Sequence, residues 1–92
     1  MIRSFKHKGL QAYFATGNKK GIQAKHSKRL KMLLYAVDTA TEIGDVDLPG
    51  FRLHQLSGTR SNIWSVRVSG NWGMTFEYKN GHAYILDYED YH

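Results

Sequence analysis

The chain has 92 residues, no cysteine and a formal charge of +5, with a pI near 9.6. Its length predicts one domain over residues 1–92 with a single small core, and the lack of cysteine excludes disulfides and thiolate metal sites. No apolar stretch is long enough for a signal peptide or a membrane span, so we expect a soluble cytoplasmic protein.

The positive charge is concentrated in the first third of the chain, because residues 1–31 contain nine Lys and Arg and no acid. Such an asymmetry indicates a polyanionic partner, most often nucleic acid. The alternative is that these lysines only solvate a helix surface, and composition does not decide between the two. The candidate RNA-binding residues are Lys6, Lys8, Lys19, Lys20, Lys25, Lys28 and Arg29.

The N-terminal half predicts helices. After a short opening strand over residues 1–6, apolar residues at helical spacing predict a first helix from Lys8 to Thr16, ended by Gly17. A longer apolar stripe predicts a second helix from about Ala24 to Glu42.

From Phe51 onward the apolar period changes to two, which predicts four strands with one apolar and one polar face. Trp64 and Trp72 fall on the apolar face and are expected to be core residues. Strands of this kind suit an antiparallel sheet covered on one side. The predicted fold class is therefore α+β, with two N-terminal helices packed on one face of a small antiparallel sheet.

The strand register follows from keeping the apolar residues on one face. Pairing Val68 with Trp72 across a three-residue loop places Arg67 directly opposite Gly73. An Asn-Gly turn then begins the last hairpin and, by the same count, places Gly73 opposite Tyr88. Arg67, the glycine and the C-terminal tail are expected to meet on the uncovered face.

The residues of this face suit cleavage of RNA by its own 2′-OH, which needs a base, a cation on the phosphate and an acid. His92 titrates near neutral pH, Asp90 could orient it or act as a base, and Tyr91 could stack on a nucleobase. Arg67 offers a forked donor to phosphate, and His54 a contact to phosphate or base. The alternative is a merely solubilising tail and an exposed strand histidine.

The loop over residues 57–62 is a second candidate for phosphate contact, through Ser57, Arg60 and backbone N–H groups. It lacks the glycines and lysine of a P-loop, so nucleotide binding is not expected. The five histidines are scattered without the spacing of metal ligands, so neither a metal nor another cofactor is expected.

Five stretches of the chain form a distinctive set: MIRSFKHKGLQAYF, DTATEIGD, LHQLSGTR, WSVRVSGNW and AYILDYEDYH. Together they resemble the HigB toxins, members of the RelE-like group of bacterial toxin–antitoxin systems. The resemblance covers essentially the whole chain.

This resemblance implies a RelE-like ribonuclease fold and an enzyme that cuts mRNA in the ribosomal A site, without metal, leaving a 2′,3′-cyclic phosphate. It also implies a HigA-like helix-turn-helix antitoxin, with operator DNA bound only through that antitoxin. The family's functional positions correspond here to His54, Arg67, Asp90, Tyr91 and His92. Some members carry a lysine where this chain has Ser57, so one phosphate contact is expected to be missing.

Position 73 departs most from the family, which typically has a catalytic arginine where this chain has glycine. The resemblance therefore suggests an attenuated toxin, and Gly73→Arg is expected to arrest growth more strongly. Alternatively, Arg60 or Lys79 compensates for the lost charge. A competing interpretation of the whole chain is a non-catalytic basic module that binds RNA, the ribosome or an antitoxin.

Overall fold

The computed structural model describes residues 1–91, and His92 lies outside the described residues. The helices are α1 (Lys8–Thr16) and α2 (Ser27–Thr39), and the strands are β1 (His54–Gln55), β2 (Ile63–Ser69), β3 (Trp72–Lys79) and β4 (His82–Asp90). The strands form one antiparallel sheet in the order β1-β2-β3-β4. The predicted α+β class is confirmed.

Helix α1 has the predicted bounds because both of its ends are capped. The His7 side chain accepts the Leu10 N–H at 3.0 Å at the start of the helix. At the other end Gly17 adopts φ +79° and donates its N–H to the Tyr13 carbonyl. Glycine reaches this left-handed conformation without the steric cost of a side chain.

Helix α2 is shorter than the predicted Ala24–Glu42. A 3₁₀ turn occupies Ala24–His26 and the α-helix ends at Thr39. The chain then leaves the helix because Asp45 accepts the backbone N–H groups of Thr41 and Glu42, at 3.0 and 3.3 Å. This local cap competes with continuation of the helix.

The core lies between the helices and the apolar face of the sheet. The stripe of α2 is fully buried, and Val66, Met74 and Phe76 face it from the middle strands. Trp64 and Trp72 pack against this cluster and are partly buried, as predicted. The opposite face of the sheet carries the polar residues.

Between β2 and β3 the predicted opposition of Arg67 and Gly73 is confirmed. The turn itself differs from the prediction, because Ser69 rather than Val68 pairs with Trp72. Val68 is the extra residue of a β-bulge, which shortens the loop to two residues.

Between β3 and β4 the prediction is correct at the turn and wrong beyond it. Lys79 pairs with His82, but a bulge near Ile85, which adopts φ +49°, shifts the register by one residue. Gly73 therefore lies opposite Glu89, not Tyr88. A one-residue shift exchanges the faces of a strand, so Tyr88 joins the core and Glu89 joins the polar face.

Two further predicted strands are shorter than expected. The opening segment makes only two isolated parallel bridges to β4, from Ile2 and Phe5. The first strand of the sheet is reduced to two residues, because Arg52 adopts φ +54° and interrupts the extended backbone that Phe51 was predicted to begin.

Candidate active site

The polar face of the sheet is organised in two rows, because paired residues on adjacent strands share a face. His54, Ser65 and Thr75 form the first row across β1, β2 and β3. Arg67, Gly73 and Glu89 form the second row across β2, β3 and β4. His54 and Arg67 are diagonal neighbours, which places their Cβ atoms about 7 Å apart.

A cleft of about 480 Å³ opens on this face. It brings together His54, Arg67 and Tyr91, three of the predicted site residues. Its walls are formed by Arg52, His54, Ser65, Arg67, Gly70, Trp72 and Tyr91. A concave site of this size with converging polar groups is the usual setting for small ligands and reacting groups.

The hydrogen bond of His54 determines which ring nitrogen can accept a proton. Its Nδ1 lies 2.8 Å from the Arg52 carbonyl oxygen, which can only accept, so Nδ1 carries the hydrogen. In the neutral ring Nε2 is then the proton acceptor. The side chain is exposed at the cleft, where a bound substrate could come within hydrogen-bond reach of it.

The Arg67 side chain is exposed at the cleft, while both backbone polar groups of this residue are hydrogen-bonded. Its N–H donates to the Phe51 carbonyl at 2.7 Å. The Arg29 guanidinium donates to the Arg67 carbonyl at 2.8 and 3.1 Å and to the Gly50 carbonyl at 2.7 Å. Arg29 also lies over the Phe51 ring, 5.2 Å from its centroid, in a cation–π contact.

Tyr91 lies over Gly73. A Cβ built on Gly73 would be 2.6 Å from Tyr91 Cε2 and 2.8 Å from Cζ, and the hydroxyl would be closer still. That hydroxyl is hydrogen-bonded to Ser65 Oγ, and the Tyr91 N–H donates to the Asn71 carbonyl at 2.8 Å. Burial raises the pKa of the Tyr91 phenol, because desolvation disfavours the phenolate.

A polar network lies beside this tyrosine. The Arg60 guanidinium donates to both oxygens of Glu89, at 2.6 and 3.1 Å, and Thr75 Oγ1 donates to Glu89 at 2.7 Å. The Arg60 hydrogen bonds hold the pKa of Glu89 below its usual range. Arg60 thus contributes little net charge to the face while this pair is formed.

The other predicted site residues lie elsewhere. Asp90 shares its ladder position with Trp72, whose ring packs on Tyr88 on the helix side, so Asp90 and Glu89 lie on opposite sides of β4. Ser57 is exposed in the loop between β1 and β2, outside the cleft lining. The assignment of His92 falls outside the described residues.

Lys79 lies far from position 73, where the family has an arginine. It lies six residues away along the same strand, about 20 Å at 3.3 Å per residue. It is also 3.3 Å from the Glu77 carboxylate.

The predicted basic residues are dispersed. Lys19 and Lys28, together with Lys31, line a groove of about 580 Å³ beside α1 and α2, on the side of the sheet away from the cleft. Lys6 lies 3.9 Å from Asp87 of β4. Lys8, Lys20 and Lys25 are exposed around the helices. Arg29 differs from the rest of this set, because its guanidinium donates to the backbone carbonyls of Gly50 and Arg67, and its contact with RNA stays a prediction.

Sequence reasoning missed three residues of this face. Arg52 lines the cleft and presents its carbonyl to His54, but its left-handed backbone carries no sequence signal. Ser65 could have been placed beside His54 and Thr75 from strand alternation alone. Glu89 was missed because the bulge in β4 reversed its predicted face.

Two negative findings concern residues 1–91. No three His, Asp or Glu side chains in that range come together as a metal site would require. Neither α-helix among those residues is long and apolar enough to cross a bilayer.

Comparison with known proteins agrees with the resemblance. The family described as the RelE-like toxin of the type II toxin–antitoxin system HigB matches residues 3–92. The chain is 50% identical over 92 residues, the full length of both chains, to a protein of Proteus vulgaris named "Endoribonuclease HigB". The chain therefore belongs to the HigB-like toxins, the RelE-like toxins of type II toxin–antitoxin systems.

Proposed function

We propose that this chain is an endoribonuclease toxin that cuts mRNA in the ribosomal A site without a metal ion. One observation carries the proposal: His54, whose Nε2 is its proton-accepting nitrogen, lines the same cleft as Arg67 and Tyr91. His54 and Arg67 supply the base and the phosphate ligand that RNA cleavage by its own 2′-OH requires, and Tyr91 offers a ring for stacking beside them. The half-identical endoribonuclease supports the same activity.

In the proposed reaction His54 Nε2 takes the proton from the 2′-OH, and that oxygen attacks the adjacent phosphorus. The Arg67 guanidinium donates two hydrogen bonds to the non-bridging phosphate oxygens and stabilises the negative charge that grows on them. The 5′-oxygen leaves with a proton from an acid, a role that we propose for His92. The products are a 2′,3′-cyclic phosphate and a free 5′-hydroxyl.

We further propose that the enzyme is attenuated, because Gly73 brings no cation where the family has an arginine. One charged donor to a developing oxyanion contributes roughly 10²–10³ in rate. Arg60 does not fill this gap while both of its terminal nitrogens donate to Glu89.

A type II toxin works with a protein antitoxin, and we propose a HigA-like helix-turn-helix protein for that role. Operator DNA would then be bound through the antitoxin and not by this chain. The other proposed partners are mRNA, which would enter the cleft, and the ribosome, whose RNA would meet the basic helix side through charge attraction. Action on ribosome-bound mRNA would take place in the cytoplasm.

Mapping of mRNA 5′ ends by primer extension in expressing cells tests the activity. We expect new ends within codons of translated messages, and their loss in His54→Gln and Arg67→Met. His82→Gln, at the opposite end of the sheet face, is the matched control and should cleave as the parent does.

The competing function is a non-catalytic module that binds ribosomes or the antitoxin. It predicts ribosome binding without new 5′ ends in the parent chain. That outcome, or cleavage that survives His54→Gln and Arg67→Met together, would refute the enzymatic proposal.

A further inference from the structure

The ring of Tyr91 occupies the space that a side chain at position 73 would need. The shortest distances from a Cβ built at that position are to the phenol carbons and the hydroxyl, not to backbone atoms. The bare backbone of Gly73 is therefore the floor on which the ring rests. In most strands a glycine only weakens packing, but here it permits a close approach.

Ser65 is the second part of this arrangement. It lies on the polar face of the sheet, yet its exposed fraction is 0%. Its hydroxyl is hydrogen-bonded to the Tyr91 hydroxyl, and its strand position is directly opposite His54. The contact thus ties the end of the chain to the part of the sheet that carries the proposed base.

The backbone supplies a third attachment. The Tyr91 N–H donates to the carbonyl of Asn71, in the turn that precedes β3. The contact with Gly73, the hydrogen bond to the Ser65 hydroxyl and the hydrogen bond to the Asn71 carbonyl together define one position for the tyrosine. None of them belongs to the hydrophobic core on the other side of the sheet.

We propose that Gly73 and Ser65 are positioning residues that seat Tyr91, and through it the C-terminal end, in the active-site cleft. The inference rests on the proposed function. In this proposal Gly73 does more than lack the family's arginine, because its missing side chain makes room for the Tyr91 ring. Any side chain at position 73 then moves the ring away from Ser65.

Amide hydrogen exchange reports directly on whether Tyr91 is held in this position, without an activity assay. We expect Gly73→Ala to speed exchange of the Tyr91 N–H at least tenfold, because the displaced ring loosens the last residues. The Arg67 N–H, bonded to Phe51, should keep its rate and so report an intact sheet. Gly44→Ala is the matched control, because the nearest atom to its added Cβ is the Glu42 side-chain oxygen at 3.6 Å.

Should Gly73→Ala fail to fold, Gly73→Ala with Tyr91→Ala decides the matter, because removal of the ring frees the space. Folding of that double variant supports the seat, and its failure to fold contradicts it. An unchanged Tyr91 exchange rate in a folded Gly73→Ala chain also overturns the proposal.

Cleavage kinetics test whether Ser65 acts through Tyr91. Single-turnover cleavage of ribosome-bound mRNA should slow about tenfold in Ser65→Ala, the size expected for one lost hydrogen bond to a positioned group, with KM unchanged. In a Tyr91→Phe chain, which lacks the hydroxyl, Ser65→Ala should have no further effect. Equal losses in both chains would contradict a role through the tyrosine.

The two proposals can fail separately. If the parent chain does not cleave RNA, the proposed function is wrong while the exchange experiment still reports on the seat. If RNA is cleaved but the Tyr91 exchange rate is unchanged in Gly73→Ala, only the proposed positioning of Tyr91 is wrong.

Discussion

Glu89 binds the Arg60 guanidinium through both carboxylate oxygens, at 2.6 and 3.1 Å, on the same face of the sheet as the cleft. The pair connects the loop between β1 and β2 to the strand that leads into the C-terminal tail. A bidentate arginine–carboxylate pair is stronger and more directional than an ordinary surface ion pair. It therefore orders a loop that has only a short 3₁₀ turn, Gly58–Arg60, of its own.

The Arg60–Glu89 pair predicts a loss of stability in acid. The folded-state pKa of Glu89 is lowered, first by the Arg60 hydrogen bonds, so its contribution is present above the unfolded value of about 4.3. That contribution is lost as the pH falls through the folded pKa. Urea unfolding between about pH 3 and 6 should show a shallower pH dependence in Glu89→Gln.

Asp47→Asn removes an exposed carboxylate and is the control for this measurement. It should retain the acid dependence of the parent chain. Identical pH profiles for Glu89→Gln and the parent would show that the ion pair does not stabilise the folded state.

His26 predicts a second pH dependence, nearer to neutrality. It is 3% exposed, lies 2.5 Å from the Tyr88 hydroxyl, and has a pKa lowered by burial and then by Lys25. The folded chain therefore resists protonation, while an unfolded histidine takes a proton near pH 6.5. Stability should be complete above about pH 6.5 and fall as the pH drops through the folded pKa.

Replacing His26 by Gln should flatten the unfolding midpoint between about pH 5 and 7, whatever its effect on absolute stability. His54→Gln, at an exposed histidine, should keep the dependence of the parent chain. Persistence of the full slope in His26→Gln would assign it to another group.

The local features of the site were predictable, and the features set by irregular backbone were not. Arg67 opposite Gly73 follows from two adjacent strands and a turn, so counting residues was sufficient. The predicted register between β3 and β4 was wrong because Ile85 adopts a left-handed backbone conformation, which β-branched residues rarely do. That single residue exchanged Tyr88 and Glu89 between the faces.

The roles of charged side chains were also beyond sequence reasoning. Arg29 has the same charge as its lysine neighbours, but only Arg29 reaches the carbonyls of Gly50 and Arg67. The planar guanidinium offers several donors in a fixed geometry, which an ammonium does not. The number of charges can be counted from the sequence. Whether Arg29 reaches the two carbonyls depends on the distance between α2 and β2, which the sequence does not give.

The groove lined by Lys28 and Lys31 predicts a salt-dependent contact with ribosomal RNA. Each neutralised phosphate contributes about 0.7–0.9 to the slope of log affinity against log salt. Lys28→Gln with Lys31→Gln should therefore reduce that slope by about 1.5 in a ribosome sedimentation titration. The control is Arg3→Gln with Lys79→Gln, which removes the same charge from residues outside the groove and should change the slope less. Equal reductions would indicate a general charge effect without a docking surface.

The last prediction concerns Gly73→Arg, which combines two opposite effects. The arginine adds a charged donor to the phosphate, with roughly 10²–10³ in rate to gain. Its Cβ also displaces Tyr91, which any side chain at that position would do. A comparison with glycine alone therefore mixes charge and sterics. Gly73→Met, of similar length and without charge, isolates the steric part.

Growth after induced expression should rank the chains, with Gly73→Arg the most toxic and Gly73→Met less toxic than the parent. The difference between Gly73→Arg and Gly73→Met measures the missing cation, because both side chains displace the ring and only arginine can bind the phosphate. The difference between Gly73→Met and the parent measures the positioning of Tyr91, because methionine moves the ring and adds no charge. Equal toxicity of Gly73→Arg and Gly73→Met would mean that the charge at position 73 does not contribute to cleavage, and the proposed attenuation would then be wrong.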